Sequence, residues 1–225
     1  PEYEKAVPPE ERRARLKNIV LTMPEFLPSV MKTTVCGSRL YASLLRATRK
    51  GGVYPANYWP AFPSAHKPKD VMAGVRAGEP APLGLRARPN DLEAFKAWLG
   101  DHADGRKLIT VTLRSYSHFP VRNSNLDAWR AFAERLDETE YFPIFIPDAS
   151  MPPEAVGTLL DGFSVCMEAA QDIGVRMAAY ESAYLNLMVN NGPHGLCMFN
   201  KKCRYLMFKI LTPEDLVNQK YIATK

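Results

Sequence analysis

The chain has 225 residues, of which 46% are hydrophobic and 24% are charged, and this balance is typical of a folded globular protein and excludes an intrinsically disordered chain. No apolar run reaches the ~18 to 20 residues that span a bilayer, so we predict no transmembrane segment. The formal net charge of +5 arises before residue 51, because residues 1–50 hold ten Lys/Arg against five Asp/Glu, whereas residues 51–225 hold nineteen of each.

The ends of the chain and its cysteines indicate its setting. It begins at Pro1 and ends at Lys225 in a polar stretch, which we interpret as a processed or partial chain. The four cysteines have neither the C-x-x-C nor the Cys/His spacing of zinc sites and are too sparse for a disulfide framework. We therefore expect a reducing, cytoplasmic environment.

A basic cluster spans residues 12–17 and is compatible with nucleic acid or with peripheral contact with an anionic membrane surface. Glu10 and Glu11 precede the cluster, Leu16 lies within it and Ile19 follows it. This pattern favours a solvated helix face with helical charge pairing. We expect no nucleic-acid partner.

The first hundred residues predict helices followed by a proline-rich segment. Residues 1–50 are mostly helical in pattern, and 38–49 have the leucine spacing of an amphipathic helix. Prolines and glycines crowd residues 51–90 and exclude a long helix or a central strand there. A short helix follows at 91–99, with Asn90 as its N-cap.

From residue 107 apolar strands alternate with helices. Helices are predicted to start at Ser124, with Asp127 completing a capping box, to run over 164–184 with a break near Gly174, and to span His194–Phe199. The strands are predicted at 108–113, 142–146, 185–189 and 205–211. This order predicts an α/β protein with a Rossmann-like open parallel sheet and right-handed crossovers in residues 101–225, preceded by a helical and proline-rich segment in 1–100.

The connection after the first strand is a candidate anion-binding site. It carries Arg114, Ser115, Tyr116, His118 and Arg122 directly before a predicted helix N-terminus. Guanidinium groups and free backbone N–H groups both bind phosphates. The alternative is that Arg114 pairs with a carboxylate across the sheet and that the other residues only cap the helix.

The connection after the third predicted strand is a second candidate. It reads Asn190, Asn191, Gly192, Pro193 and His194. Gly192 permits tight backbone geometry and Pro193 suits the start of a helix, so we expect an open helix N-terminus that faces a phosphate. The alternative is an ordinary turn in which His194 bonds a neighbouring carbonyl.

Carboxylates near the same strand ends are weaker candidates. Asp148 follows the second predicted strand and either bonds ribose hydroxyls or caps the next segment, and we favour the cap. Glu181, next to Tyr180, is a further ribose candidate, but a solvent-facing glutamate is the more common outcome.

The order of these motifs over residues 105–211 resembles the C-terminal, nucleotide-sugar-binding half of GT-B glycosyltransferases, especially the heptosyltransferase-like and fucosyltransferase-like members. The resemblance rests on Arg114 after a strand, a helix with Trp129, the strand end at Asp148 and the Gly192-Pro193 turn. It implies that Arg114 and residues 191–194 contact a diphosphate.

The resemblance also has limits that shape the functional prediction. Residues 1–100 lack the strands of a complete acceptor-binding half, so no catalytic base is assigned. No Asp-x-Asp motif is present, and we expect neither a metal nor a cofactor, because GT-B enzymes commonly stabilise the leaving diphosphate with protein cations.

We therefore predict transfer of a sugar from a nucleotide diphosphate sugar to an acceptor hydroxyl of unknown identity. The alternatives are a nucleotide-sugar epimerase or hydrolase on the same fold, and a non-catalytic interaction module. The predicted substrate-binding residues are Arg114, Ser115, Tyr116, Arg122, Asn190, Asn191, Gly192, Pro193 and His194.

Overall fold

The computed structural model describes residues 8–49, 51–53, 58–62, 73, 76–78, 84–117 and 119–210. The chain divides into two compact units. Residues 1–28 and 84–225 form the first, which we call the sheet unit, and residues 29–83 form the second, which we call the inserted unit.

The sheet unit contains a five-stranded, entirely parallel sheet with the order β3-β2-β1-β4-β5. The predicted α/β class and parallel sheet are confirmed. The short edge strand β3 was not predicted, because the sequence analysis placed its residues in a helix. The predicted strand 205–211 ends earlier in the structure, at Phe208, and residue 211 lies outside the described residues. The strands are β1 Lys107–Thr112, β2 Tyr141–Ile146, β3 Ser164–Val165, β4 Leu185–Val189 and β5 Tyr205–Phe208.

Helices of the sheet unit contribute to the apolar clusters of this sheet, and one described helix belongs to the inserted unit. None of those in the described part of the chain has both the length and the apolar composition needed to cross a bilayer. A π-helical turn, Leu16–Val20, continues the first helix, and 3₁₀ turns lie at Met23–Phe26 and Pro120–Arg122. The helices are α1 Pro9–Arg15, α2 Arg39–Thr48, α3 Pro89–Leu99, α4 Leu126–Glu134, α5 Pro153–Leu159, α6 Met167–Gln171, α7 Ile173–Ser182 and α8 His194–Met198.

Two predicted N-caps are wrong: α3 begins at Pro89 with Arg88 and not Asn90 as its N-cap, and the N-cap of α4 is not Ser124. The break in the predicted helix 164–184 lies at Asp172, whose carboxylate accepts a 2.7 Å hydrogen bond from the Gly174 N–H and so caps α7. The N-cap of α4 is Asn125, which accepts a bond from the Ala128 N–H. Ser124 instead accepts a 2.9 Å bond from the Arg114 N–H, so it holds the connection after β1.

Apolar side chains cover both faces of the sheet. Ile109, Val111 and Leu113 pack in one cluster beneath the apolar face of α4, and a larger cluster lies on the opposite face around Phe95 and Tyr180. Strands that are buried on both faces explain the nearly continuous apolar runs in the sequence.

A polar network crosses the second cluster. The Thr110 hydroxyl donates a 2.6 Å hydrogen bond to Asn186 Oδ1, and Thr112 shares a 2.8 Å bond with the Tyr180 hydroxyl. Each buried polar group in this network therefore has a partner, as burial requires.

The described part of the inserted unit contains α2 and a bridge between Trp59 and Phe62. Ser38 caps α2 by accepting a bond from the Tyr41 N–H. Arg46 donates a 2.7 Å bond from Nε to the Tyr58 carbonyl, and its Cζ lies 4.2 Å from the Trp59 ring centroid. The predicted helix 38–49 therefore exists, but it contains no buried residue.

Candidate functional site

A cleft of about 730 Å³ opens in the sheet unit, and the residues that follow β1, β2 and β4 contribute to its lining. The register pairs Thr112 of β1 with Ile146 of β2 and with Met188 of β4, so these three strands end at the same edge. The chain passes from β1 outward to β2 and β3 and then returns to β4 on the other side of β1. The cleft therefore lies at the topological switch point, where ligands of open α/β sheets bind.

Arg114 directly follows the central strand and is only 9% exposed. Its Nη1 donates a 2.9 Å bond to the Phe119 carbonyl and a short bond to Asn123 Oδ1. Both acceptors belong to the connection after β1. Burial and the nearby Arg122 charge lower the pKa of Arg114, and the Asp148 carboxylate opposes this effect.

Asn123 organises the connection after β1. Its Oδ1 also accepts a 3.1 Å bond from the Tyr116 N–H, and its Nδ2 donates a 3.0 Å bond to the Tyr116 carbonyl. The sequence analysis treated Asn123 only as part of a helix start. An amide side chain is the sole local signal of this role, since Asn is common in such loops.

Arg122 links the two connections that the sequence analysis singled out. Its Nη2 donates a 2.8 Å bond to the Asn190 carbonyl, while its Nε is buried and has no hydrogen-bond partner in the described part of the chain. Asn191 is only 8% exposed, and its Oδ1 is also buried without a hydrogen-bond partner in the described part of the chain. Buried polar groups without partners are rare and mark places where a ligand or water binds.

Gly192 does not have the special backbone conformation that was predicted for it. Its φ lies outside the left-handed region, and a Cβ built on it would meet no atom within 4 Å. The position therefore tolerates a side chain in the structure, and the turn does not use the tight backbone geometry that a glycine permits.

The helix after this turn is also a poorer anion site than predicted. α8 has only five residues, and its early amides are already bonded: the Gly195 N–H to the Gly192 carbonyl at 3.2 Å and the Leu196 N–H to the Pro193 carbonyl at 3.0 Å. The His194 ring bonds the Asn191 carbonyl, as the alternative interpretation had it. A short helix with bonded amides has a weak dipole and few free donors.

Arg176 lies in the cleft lining but was missed by the sequence analysis. It is only 7% exposed, and it donates from Nε to the Ala169 carbonyl at 2.6 Å and from Nη2 to the Ala170 carbonyl at 3.2 Å. Burial raises the pKa of Tyr180, and the nearby Arg176 charge opposes this effect. An arginine among alanines on a buried helix was the available signal, because such a charge requires partners.

Arg15 is the fourth arginine of the cleft lining and reaches it from α1. It pairs with Glu11 one helical turn earlier, and its side chain is 41% exposed. Asp148 is the single acidic residue among the described residues that line the cleft. The lining therefore has a strong excess of positive charge.

Asp148 bonds its own turn and the connection after β1. Its Oδ1 accepts a 3.0 Å bond from the Ser150 N–H, and its Oδ2 accepts a 3.2 Å bond from the Ser115 N–H. These contacts agree with the capping role favoured from the sequence.

Glu181 contradicts the expectation of a solvent-facing carboxylate. Its side chain is 4% exposed, and it accepts bonds from the Ala87 N–H at 2.9 Å, Asn200 Nδ2 at 2.8 Å and Lys202 Nζ at 2.6 Å. Burial alone would raise the pKa of Glu181, but these hydrogen bonds lower it below the ordinary value. It does not line the cleft.

The predicted site residues are only partly brought together. Ser115, Asn190 and His194 are absent from the lining, and His118 lies outside the described residues. The predicted residues that do line the cleft are Arg114, Tyr116, Arg122, Asn191, Gly192 and Pro193.

Fold and site together define an α/β protein with an arginine-rich cleft at the switch point of an open parallel sheet. No protein-family model and no curated protein matches the chain. Among solved structures, it is similar to a glycosyl transferase family 9 protein from Veillonella parvula DSM 2008, with a TM-score of 0.45 and 15% sequence identity. The match covers 64% of this chain and 47% of that one, so it spans about half the length of that protein.

Proposed function

We propose that the cleft of the sheet unit binds a nucleotide diphosphate sugar and that the protein transfers the sugar to an acceptor hydroxyl, as a GT-B-like glycosyltransferase. The observation that carries the proposal is the charge of the cleft, where Arg15, Arg114, Arg122 and Arg176 face one aspartate. A diphosphate offers several oxygens to planar guanidinium groups, and such charged hydrogen bonds are stronger than neutral ones.

The electrostatics of Arg114 and Arg122 support an anionic ligand. Burial and the nearby Arg122 charge both lower the pKa of Arg114, so this guanidinium lacks full compensation for its charge. An anion placed between them removes this repulsion and pairs with the unpartnered Arg122 Nε. Because both groups are held in place before the ligand arrives, little ordering cost remains for binding.

The cleft also has an apolar lining that suits the rest of a nucleotide. Nucleobases are planar and partly apolar, and ligand pockets combine such surfaces with a few polar anchors. The apolar side chains come from the N-terminal helical segment, from residue 85, from the start of α7 and from α8: Ile19, Met23, Leu85, Ile173, Leu196 and Phe199.

The arginines suit the chemistry as well as the binding. When the bond between the sugar and the diphosphate breaks, negative charge grows on the leaving oxygen, and preorganised cations stabilise that charge. Arg114, Arg122 and Arg176 would have this role. No catalytic base is assigned, since Asp148 already accepts bonds from its own turn and from the connection after β1.

The test is a calorimetric titration of the protein with inorganic pyrophosphate and with ADP, GDP, UDP and CDP. We expect pyrophosphate to bind and one nucleoside diphosphate to bind more tightly, because the base adds contacts with the apolar lining. Arg135 is exposed and follows the distant end of α4, so Arg135→Ala is a matched control for the loss of one positive charge. Absence of diphosphate binding by the folded protein contradicts the proposal.

Turnover distinguishes the alternatives. The protein is incubated with the diphosphate sugar of the preferred base, with and without extracts that contain acceptor hydroxyls. Release of nucleoside diphosphate only with an acceptor supports a transferase. Release without one indicates a hydrolase, conversion of the sugar an epimerase, and binding without turnover a non-catalytic module.

A further inference from the structure

The inserted unit, residues 29–83, carries the whole positive excess of the protein. It contains eight Lys/Arg and two Asp/Glu, a net charge of +6, whereas the remaining residues contain 21 Lys/Arg and 22 Asp/Glu, a net charge of −1. No acidic residue occurs between positions 26 and 69. The unit therefore presents a strong positive field to any surface near it.

The same unit exposes large apolar side chains. Met31 is 99% exposed, Leu40 and Phe62 are each 82% exposed, Val35 is 67% exposed and Leu44 is 58% exposed. Single exposed apolar residues are ordinary, but a group of them in one small unit marks an interaction surface.

α2 arranges these two properties on one helix. Leu40, Tyr41 and Leu44 form a continuous exposed stripe at i, i+1 and i+4, because residues four apart lie on the same face. Arg39 begins the helix, and Arg49 directly follows it; both are exposed. Arg46 is not part of this surface, since it bonds the Tyr58 carbonyl and stacks on Trp59.

We propose that the inserted unit binds the surface of a membrane that contains anionic lipids, with α2 lying in the interface. An amphipathic helix with an apolar stripe and flanking cations enters the boundary between head groups and acyl chains, where the apolar side chains are buried and the cations meet lipid phosphates. A nucleic acid satisfies the charge equally well, but its polar backbone leaves Met31, Leu40 and Leu44 uncovered.

The test is co-sedimentation of the full chain with vesicles. We expect binding to vesicles of phosphatidylcholine mixed with phosphatidylglycerol and at least about tenfold weaker binding to phosphatidylcholine alone. Raising the salt from about 0.1 M to about 0.5 M should weaken the binding severalfold, because the charges are screened. The double variant Leu40→Asn/Leu44→Asn should reduce the binding about tenfold or more, and Arg39→Gln/Arg49→Gln severalfold.

The matched control is Leu16→Asn/Val20→Asn on the sheet unit. These side chains are 48% and 57% exposed and lie beside Arg12, Arg13 and Lys17, so they form a second basic and apolar surface in the described part of the chain. We expect this control to bind vesicles like the parent. If the control loses binding and the α2 variant keeps it, the assignment to the inserted unit is wrong.

Other results also overturn the proposal. Equal binding to both vesicle types removes the role of charge, and no binding to either removes the membrane. Tighter binding to a single-stranded RNA than to vesicles favours a nucleic-acid partner, and conversion of a parent dimer to a monomer by Leu40→Asn/Leu44→Asn shows that a second copy covers α2. Circular dichroism of each variant confirms that it is folded before these comparisons.

Discussion

The connections after β1 and after β4 line the same cleft but differ in what they offer a ligand. The β1 connection supplies Arg114, which bonds Asn123 and Ser124, and Arg122, which bonds the Asn190 carbonyl. The β4 connection supplies the Asn191 amide and a five-residue helix with bonded early amides. The β1 connection contributes positive charges that are held in place, and the β4 connection contributes mainly to the shape of the cleft wall.

This difference predicts that side-chain charge contributes more than the helix end to binding of the proposed diphosphate. A guanidinium fork donates two hydrogen bonds and a full charge, whereas the end of a short helix provides a fraction of a charge. Arg176 of α7 adds a further positive charge to the cleft, although it belongs to neither connection. Substitutions in the two connections should therefore have unequal effects on diphosphate binding.

The largest expected effect comes from Arg114. A hydrogen bond to a charged group contributes about 1.5 to 3 kcal/mol, so Arg114→Ala should weaken pyrophosphate binding by ~10 to 100-fold in calorimetric titrations at fixed salt. Arg114→Lys keeps the charge but loses the fork, and about a tenfold loss is expected. Because Arg114 also bonds the Phe119 carbonyl, thermal unfolding must first show that both variants are folded. Parent-like binding by both would remove Arg114 from the site.

Arg176 should have the next largest effect. Arg176→Met keeps most of the side-chain volume but removes the charge, and we expect about a tenfold loss of pyrophosphate affinity. Tyr180→Phe, which retains the arginine and removes a nearby hydroxyl that bonds Thr112, should cost only a few-fold. If Tyr180→Phe weakens binding as much as Arg176→Met, the position of the guanidinium matters more than its presence.

Gly192 tests the opposite side of the comparison. Since φ is not left-handed and a Cβ meets no atom within 4 Å, Gly192→Ala should leave the free energy of unfolding within about 0.5 kcal/mol of the parent. Pyrophosphate affinity should change by less than about threefold. A tenfold or larger loss in the same titration would show that the backbone of the β4 connection touches the ligand closely.

The smallest effect on binding is expected at Glu181, outside the cleft. Glu181→Gln should leave pyrophosphate affinity unchanged but lower the free energy of unfolding by about 1 to 3 kcal/mol, since its donors lose a charged acceptor. Hydrogen bonds lower the pKa of Glu181 in the folded protein, so its stabilisation is present above the unfolded pKa of about 4.3 and is lost as the pH falls through the folded value. Urea unfolding at pH 7 and at pH 3 should show a smaller gap between parent and variant at the lower pH.

Much of the sheet could be predicted because its signals are local. Apolar runs with β-branched residues mark β1, β2, β4 and β5, and helices between them imply parallel pairing. β3 has only two residues, which are too few to show a strand periodicity, and the helix predicted over 164–184 included them. Arg114 was found because a charged residue at the end of a buried strand stands out in the sequence, and Arg122 because it lies in the same connection before a predicted helix start.

The sequence alone determined the class of the sheet and six of the predicted substrate-binding residues that line the cleft. The tertiary structure decided the strand order β3-β2-β1-β4-β5, which places the connection after β4 beside Arg114. It also decided that Arg176 and Arg15 reach the same cleft from α7 and α1. Strand order and helix docking depend on packing between residues far apart in the chain, and local propensity and spacing carry no record of that packing.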